Sequence, residues 1–226
     1  MALLGTAALA MWWDIAPEVR ADFEHWHTHE HFPERLAIAG FRRASRWTDA
    51  CGGDGLFVLY ELASHDVLSS PAYVERLNAP TPWSTRLMPH HRNMVRSQCR
   101  VVATRGAVLA RVLLTVRLAA THAAQPRLQQ ALCALVDELP RRPGLAGAHL
   151  LRHQPPPVAT TTEQRLRGGS DGVAGWIVLV SAYDDSACDA MIDRELCANA
   201  RDAIGATAGS IGRYRLSASA LPQDLV

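Results

Sequence analysis

The fold of this chain follows from one stretch, Glu30-His31-Phe32-Pro33-Glu34-Arg35-Leu36-Ala37-Ile38-Ala39-Gly40-Phe41. The stretch joins a predicted helix, which begins at Pro17 and ends near His31, to a predicted strand over Gly40–Thr48. A similar segment, Pro143–Arg152, stands at the corresponding place in the second half of the chain. The two halves therefore follow one structural plan.

Hydrophobic periodicity predicts the order β-α-β-β-α-β in each half. This order is the ferredoxin-like unit, whose sheet carries helices on one face and leaves the other to be covered. We predict an α+β protein in which two tandem units, residues 1–105 and 106–226, meet sheet to sheet and close a barrel. The first unit is expected to carry the functional site and the second to be mainly structural. Residues 155–172, rich in Pro, Thr and Gly, are expected to form a flexible loop of the second unit.

Motifs in the first half resemble a known group of proteins. The motifs are Trp26-His27, the stretch from Glu30 to Phe41, the following Arg42-Arg43-Ala44-Ser45-Arg46-Trp47, and Pro80-Thr81-Pro82-Trp83-Ser84. They resemble the EthD-like branch of the dimeric α+β barrel superfamily, and the element order extends that resemblance to the second half. It implies a pocket between the helices and the sheet of one unit. The superfamily includes isomerases, cyclases, lyases, monooxygenases and heme enzymes, so the fold does not decide the function.

Composition narrows the possible chemistry. The 226 residues are 48% hydrophobic and carry a formal net charge of +1, which indicates neither nucleic-acid nor anionic-membrane binding. All 23 basic residues are arginine, so a lysine Schiff base and a P-loop lysine are excluded. The five cysteines are scattered and form no CxxC pair, which is typical of free thiols in the cytoplasm. The apolar start, Met1–Trp13, is interpreted as the first strand because it lacks the charged beginning of a signal peptide.

Four of the ten histidines lie within the octapeptide Glu24–His31. At 100° per residue, Phe23 and Trp26 share the buried stripe of the helix with Val19, and Glu30 falls in the middle of that stripe. His27 lies at its edge and His31 one turn further on, whereas His25 and His29 face solvent. Seven of the ten histidines and five of the six tryptophans precede residue 105, which favours a site in the first unit.

A carboxylate on an apolar stripe needs a partner. Glu30 could form a structural ion pair with Arg35, Arg43 or Arg46, or it could orient His27 or His31 as a general base. As a third alternative, the helix could pack loosely there, so that the carboxylate faces a pocket. Under the second interpretation Arg43 or Arg46 stabilises a developing oxyanion. Their positions in the sequence make Tyr60, Trp83, His90 and His91 further candidates for substrate binding.

The leading hypothesis is a cofactor-independent enzyme that performs acid–base chemistry of the isomerase, cyclase or lyase type. Its catalytic residues would be His27, Glu30 and His31, and its substrate a small apolar or aromatic molecule. The alternatives are a non-catalytic binding protein and a metal- or heme-dependent oxygenase, in which His27 and His31 would be the metal ligands. No cofactor, nucleic acid or membrane partner is expected, and either a monomer or a homodimer is compatible with the tandem units.

Overall fold

The computed structural model describes residues 3–106 and 108–225, which form eight strands. Met1 and Ala2, the start of the stretch interpreted as the first strand, lie outside the described residues. The strands are β1 (Ala7–Asp14), β2 (Phe41–Asp49), β3 (Gly55–Leu62), β4 (Arg92–Gly106), β5 (Val112–Ala119), β6 (Leu145–His153), β7 (Trp176–Ala182) and β8 (Ala208–Ala220). The order β-α-β-β-α-β in each half predicted all eight strands.

The α-helices are α1 (Pro17–Trp26), α2 (Phe32–Leu36), α3 (Pro71–Asn78), α4 (Pro82–Leu87), α5 (Gln125–Glu138), α6 (Thr162–Leu166), α7 (Asp185–Glu195) and α8 (Ala198–Ala203). A π-helical turn, His27–His31, separates α1 from α2, and 3₁₀ turns occupy His65–Ser69, Met88–His90, His122–Ala124, Leu139–Arg141 and Pro222–Asp224. Proline at the first turn begins α1, α3, α4 and α5, where its missing N–H costs nothing. Within the described residues, no helix is both long and apolar enough to cross a membrane.

The strands are hydrogen-bonded in the closed order β1-β3-β2-β8-β5-β7-β6-β4. In the first half, β1 pairs antiparallel with both β3 and β4, and β3 pairs with β2. In the second half, β5 takes the corresponding central place beside β7 and β8, and β7 pairs with β6. The predicted α+β class, built from ferredoxin-like units in an antiparallel barrel, is confirmed.

Two compact units divide the chain differently from the sequence boundaries. The first unit contains residues 4–100, 153–173 and 217–226, and the second contains residues 1–3, 101–152 and 174–216. Residues 153–173, called here the connecting segment, thus belong to the first unit, whereas the sequence placed residues 155–172 in the second. The connecting segment contains α6 and the buried Glu163, and it packs against the first unit's helices.

Strand β1 forms the floor of the first unit. Its alternate residues Leu9, Met11 and Trp13 are buried in one cluster with Phe23 and Trp26 of α1. A strand places every second side chain on one face, so this alternation directs three large side chains toward the helices. Burial of such side chains contributes roughly 1.5–3 kcal/mol each. The candidate functional site lies between this floor and the helices.

Gly40 links α2 to β2 and gives a testable prediction. Its φ of 98° is left-handed, and a Cβ there would overlap Cγ2 of Val67. Gly52 also has a positive φ, 81°, but open space surrounds it. We expect Gly40→Ala to lower the free energy of unfolding by about 2 kcal/mol or more, and Gly52→Ala by about 1 kcal/mol, since only the first adds a steric clash to the backbone strain. Urea denaturation measures both, and equal losses would contradict the assigned clash.

Candidate functional site

The predicted long helix is interrupted by the π-helical turn His27–His31, in which the N–H of Phe32 donates to the carbonyl of His27. Pro33 follows directly, and it has no N–H to donate to the carbonyl of His29. A proline ring also clashes with the carbonyl four residues earlier, so a wider turn accommodates it. Single π turns are rare and are frequently found at functional sites.

His27 and His31 point into the first unit, as the helical periodicity predicted. Their side chains are 1% and 7% exposed, and their rings stack with centroids 5.3 Å apart. The Trp26 ring lies 4.5 Å from that of His31, and Phe32 lies 4.3 Å from His27. His25 and His29 are exposed, also as predicted. The cluster therefore presents two buried imidazoles within an aromatic shell.

Glu30 does not orient either histidine among the described residues, contrary to the hypothesis from sequence. Its Oε1 accepts hydrogen bonds from Trp26 Nε1 at 3.0 Å, Thr81 Oγ1 at 2.5 Å and Ser84 Oγ at 3.4 Å. Thr81 also caps α4, because its Oγ1 accepts from the N–H of Ser84. The π turn has more residues per turn than an α-helix, which moves Glu30 off the buried stripe. Glu30 therefore joins the π turn to the start of α4.

Beside the two imidazoles lies a cavity of about 30 Å³. Leu9, Met11 and Trp13 of β1 and Tyr60 of β3 form its floor, and the helical side contributes Trp26, His27, His31 and Arg35. His91 also lines it, as do Glu163 and Arg167 of the connecting segment. All of these residues belong to the first unit. A volume of this size accommodates about two water molecules.

Unpartnered polar atoms concentrate around this cavity. Nine buried side-chain nitrogen or oxygen atoms among the described residues have no hydrogen-bond partner. Six of them belong to residues that line the cavity: Trp13 Nε1, His27 Nδ1, His31 Nδ1, Arg35 Nη1, Tyr60 Oη and Arg167 Nε. Leaving a buried polar group unsatisfied costs roughly 1–3 kcal/mol, so folded proteins rarely gather six of them without a purpose. This clustering indicates a binding site for a polar or partly polar ligand.

Burial and nearby guanidinium groups keep the imidazoles neutral. Burial, followed by repulsion from Arg46, His91 and Arg35, holds the pKa of His27 well below its usual value. Burial and then Arg35 do the same for the pKa of His31. Burial lowers the pKa of His91 to about 3, with Arg167 as the next cause. Neutral imidazoles at neutral pH are available to accept a proton.

The surroundings of the cavity also determine the protonation states of Tyr60 and Arg35. Burial raises the pKa of Tyr60, which therefore remains a hydrogen-bond donor at neutral pH. Burial lowers the pKa of Arg35, but Glu163, Tyr73 and Tyr60 together outweigh this effect, and the net shift of the pKa is upward. The Nη2 of Arg35 donates to the carboxylate of Glu163, and both side chains are almost completely buried. Arg35 is thus a fixed positive charge at the cavity wall.

Two of the six residues predicted for substrate binding line the cavity, Tyr60 and His91. The predicted oxyanion residues do not. Arg43 forms an ion pair with Glu61 at 2.7 Å, and Arg46 donates to the carbonyl of Glu24 and to Thr28 Oγ1, each at 3.2 Å. Their side chains are held by these partners outside the cavity lining.

Trp83 and His90 also lie outside the cavity lining. Trp83 donates from Nε1 to Asp22 at 3.0 Å, and His90 is exposed at the end of its 3₁₀ turn. Both residues were predicted to bind substrate from their position in the sequence. Of Trp83, His90 and His91, only His91 lines the cavity. Its Nδ1 lies 3.1 Å from the carbonyl oxygen of Met88 and 3.3 Å from that of Leu87.

Sequence reasoning missed Arg35 as a cavity residue, although a signal was present. His27, His31 and Arg35 follow one another at intervals of four, which places them on one helical face. Glu163 and Arg167 carried no such signal, because they come from a segment 128 or more residues away from Arg35. Their position depends on the connecting segment returning to the first unit.

The described residues contain no group of three or more His, Cys, Asp or Glu side chains able to hold a metal ion. Heme does not fit the residues present either. The rings of Trp26, Phe32 and His31 around His27 occupy the space that a macrocycle would need.

The chain has the fold of the dimeric α+β barrel proteins, as the resemblance in the first half implied. It superposes on a structure described as an anthrone oxidase-like protein with a TM-score of 0.67 and 13% identity, covering 100% of this chain and 98% of the other. A putative monooxygenase from Lactobacillus acidophilus NCFM gives a TM-score of 0.61 and 10% identity over 96% and 97% of the two chains.

A putative monooxygenase from Fusobacterium nucleatum subsp. nucleatum ATCC 25586 also gives a TM-score of 0.61, with 7% identity over 97% of this chain and 96% of the other. No protein-family model and no curated protein matches the chain. Identities this low establish the fold alone. The EthD-like branch stays a prediction.

The lowered histidine pKa values predict acid sensitivity. Below about pH 6.5 the unfolded chain binds protons at His27, His31 and His91, whereas the folded chain does not until the pH approaches their lower folded pKa values. Stability is therefore lost as the pH falls below 6.5, by on the order of 1 kcal/mol per pH unit for each histidine. We expect urea midpoints to fall between pH 6.5 and about pH 4. His27→Gln should reduce this slope, and His25→Gln, at an exposed site, should leave it unchanged; identical slopes in both variants would refute the assignment.

Proposed function

We propose that the protein is a cofactor-independent enzyme of the isomerase type that moves a proton on a small, partly apolar carbon acid. His27 or His31 acts as the general base, and Tyr60 donates a hydrogen bond to the oxygen that becomes negative. The observation that carries this proposal is the set of unpartnered polar atoms around the cavity, which combines ring nitrogens and a hydroxyl donor in an aromatic environment.

The neutral state of the imidazoles supports the role of base. A base must be unprotonated before it reacts, and burial lowers the pKa of both His27 and His31. Stacking of the two rings at 5.3 Å also places a second acceptor near the first, so that a proton taken from one carbon can return to another. Return of the proton to a different carbon distinguishes isomerisation from simple exchange of a proton with solvent.

Tyr60 is suited to stabilise the developing oxyanion. Its hydroxyl group is buried without a hydrogen-bond partner and faces the same cavity as the imidazoles. Burial raises its pKa, so the hydroxyl retains its proton when negative charge forms nearby. A donor held in a site that excludes water stabilises an oxyanion far more than the same donor in solution. Tyr60 therefore takes the role that the sequence assigned to Arg43 or Arg46.

Deuterium exchange tests this chemistry directly. Phenylpyruvate and phenylacetone both carry acidic benzylic C–H bonds beside a ketone, and they serve as probes. We expect the protein in D₂O to accelerate loss of their benzylic proton signals in NMR spectra. His27→Gln and His31→Gln should each lower kcat/KM, with at least one falling by about 10²-fold or more, since acid–base groups contribute roughly 10²–10⁴-fold. His25→Gln should retain full activity, because His25 is exposed.

The pH profile provides a second test of the same proposal. Because the folded pKa values of His27 and His31 lie well below 6.5, the base remains unprotonated in mildly acidic solution. We expect kcat/KM for exchange to stay constant from pH 8 to below pH 6.5 and to fall only in more acidic solution. A profile that drops with an apparent pKa of about 6.5 would assign the reaction to an exposed histidine instead.

A second candidate function is oxygenation, favoured by the solved structures described as putative monooxygenases and as anthrone oxidase-like. It predicts consumption of dioxygen by the probe and protein together, which an oxygen electrode measures and which isomerisation does not require. A third candidate, a binding protein, predicts that His27→Gln and His31→Gln retain full affinity for a ligand and that no exchange occurs.

A further inference from the structure

The connecting segment, residues 153–173, covers the cavity. Two of its side chains, Glu163 and Arg167, line the cavity, and Leu166 packs against the first unit's buried cluster. With the segment in this position, the cavity of about 30 Å³ holds only about two waters. An organic ligand therefore requires displacement of the segment.

Much of the connecting segment is held in place by hydrogen bonds that join backbone atoms or that are exposed to solvent. Gly172 exchanges two backbone hydrogen bonds with β4, from Arg96 N at 2.9 Å and to Met94 O at 2.8 Å. The N–H of Thr162 donates to Asn78 Oδ1 at 3.0 Å, in an exposed position. At the cavity, the connecting segment is held instead by the buried ion pair between Arg35 and Glu163.

Displacement of the segment has an electrostatic consequence. Arg35 is 2% exposed and belongs to the helical side of the cavity, so it stays when Glu163 leaves. A buried charge that loses its partner is strongly destabilising. A neutral ligand leaves that cost in place, whereas a ligand with a carboxylate replaces the carboxylate that was removed.

The remaining donors around the cavity also suit an anion. Arg35 Nη1 is buried without a partner, and Tyr60 adds a hydroxyl group that is also unpartnered. Arg167, within the connecting segment, pairs with Asp171 at 3.0 Å. Outside the segment, two arginines, Arg35 and Arg96, line the cavity. Such a lining raises the local concentration of negatively charged ligands. A guanidinium group is also the side chain best matched to a carboxylate, which it can bind through two parallel hydrogen bonds.

We propose that the substrate carries a carboxylate, that Arg35 binds this group, and that Glu163 occupies the same subsite while the substrate is absent. The connecting segment thus exchanges its own carboxylate for that of the ligand. This inference rests on the proposed function only in treating the cavity as a substrate site, since it concerns binding and not turnover.

Binding of two matched probes tests the inference. Cyclohexanecarboxylate and cyclohexylmethanol have similar size, differ in charge and do not absorb near 280 nm. Trp13 and Trp26 line the cavity, so tryptophan fluorescence reports binding. We expect the wild-type protein to bind the carboxylate at least tenfold more tightly than the alcohol. Arg35→Gln should abolish this preference, and Glu163→Gln should strengthen carboxylate binding about tenfold, because the competing carboxylate is gone.

Glu61→Gln is the matched control. Glu61 forms a buried ion pair with Arg43 in the same unit, but neither residue lines the cavity. This variant is expected to retain the wild-type affinity for the carboxylate even if it unfolds at a lower temperature. If Glu163→Gln alone does not fold, the double variant Arg35→Gln/Glu163→Gln replaces it, and it should bind the two probes equally.

The inference is overturned by equal affinity of the wild-type protein for both probes, by an absence of saturable carboxylate binding, or by a Glu163→Gln variant that loses carboxylate affinity. A protein that prefers the carboxylate but exchanges no benzylic proton would refute the proposed function and leave this inference standing. Exchange that depends on His27 or His31 without any carboxylate preference would refute the inference alone.

Discussion

The site depends on one constraint on the backbone, the π turn at His27–His31. Pro33 cannot continue the hydrogen bonding of α1, and the chain responds with a wider turn. The wider turn turns two imidazoles inward and moves Glu30 toward α4. There the Glu30 carboxylate accepts three hydrogen bonds from side chains and joins the helical layer together. The rings of Trp26 and Phe32 can then enclose the histidines because the helix that carries them is held at this point.

Periodicity predicted the strands and most of the helices because these elements obey local rules. β1 is buried along nearly its whole length, and proline marks the start of four helices. The helical wheel also predicted that His27 and His31 face inward, and both are buried. It misplaced Glu30, because a wheel with a fixed angle per residue cannot represent a π turn. It is at this irregular turn, where local rules fail, that the candidate site occurs.

Residues brought in by long-range contacts were beyond prediction from a single sequence. The composition of residues 155–172 is typical of a loop, and nothing in it indicates that Glu163 reaches Arg35 across 128 positions. Arg43 and Arg46 show the opposite case, in which residues predicted for the site do not line the cavity. Both residues are near the histidines in sequence, but Glu61 and backbone groups already bind them. Proximity in sequence indicates a candidate, and only the partners in the fold decide its role.

The charged groups around the cavity change the pKa values of the histidines beside them. Burial lowers the pKa of His27 and His31, and repulsion from Arg35 lowers it further, so both effects keep the imidazoles unprotonated but also make them weaker bases. An anion placed between the guanidinium group and the rings would oppose this repulsion and raise their basicity. Glu163 supplies this negative charge while the connecting segment is in place, and a ligand carboxylate would supply it in the same subsite once Glu163 is displaced. A bound carboxylate would therefore provide anchoring and a more basic imidazole through one interaction, and a neutral ligand would provide neither.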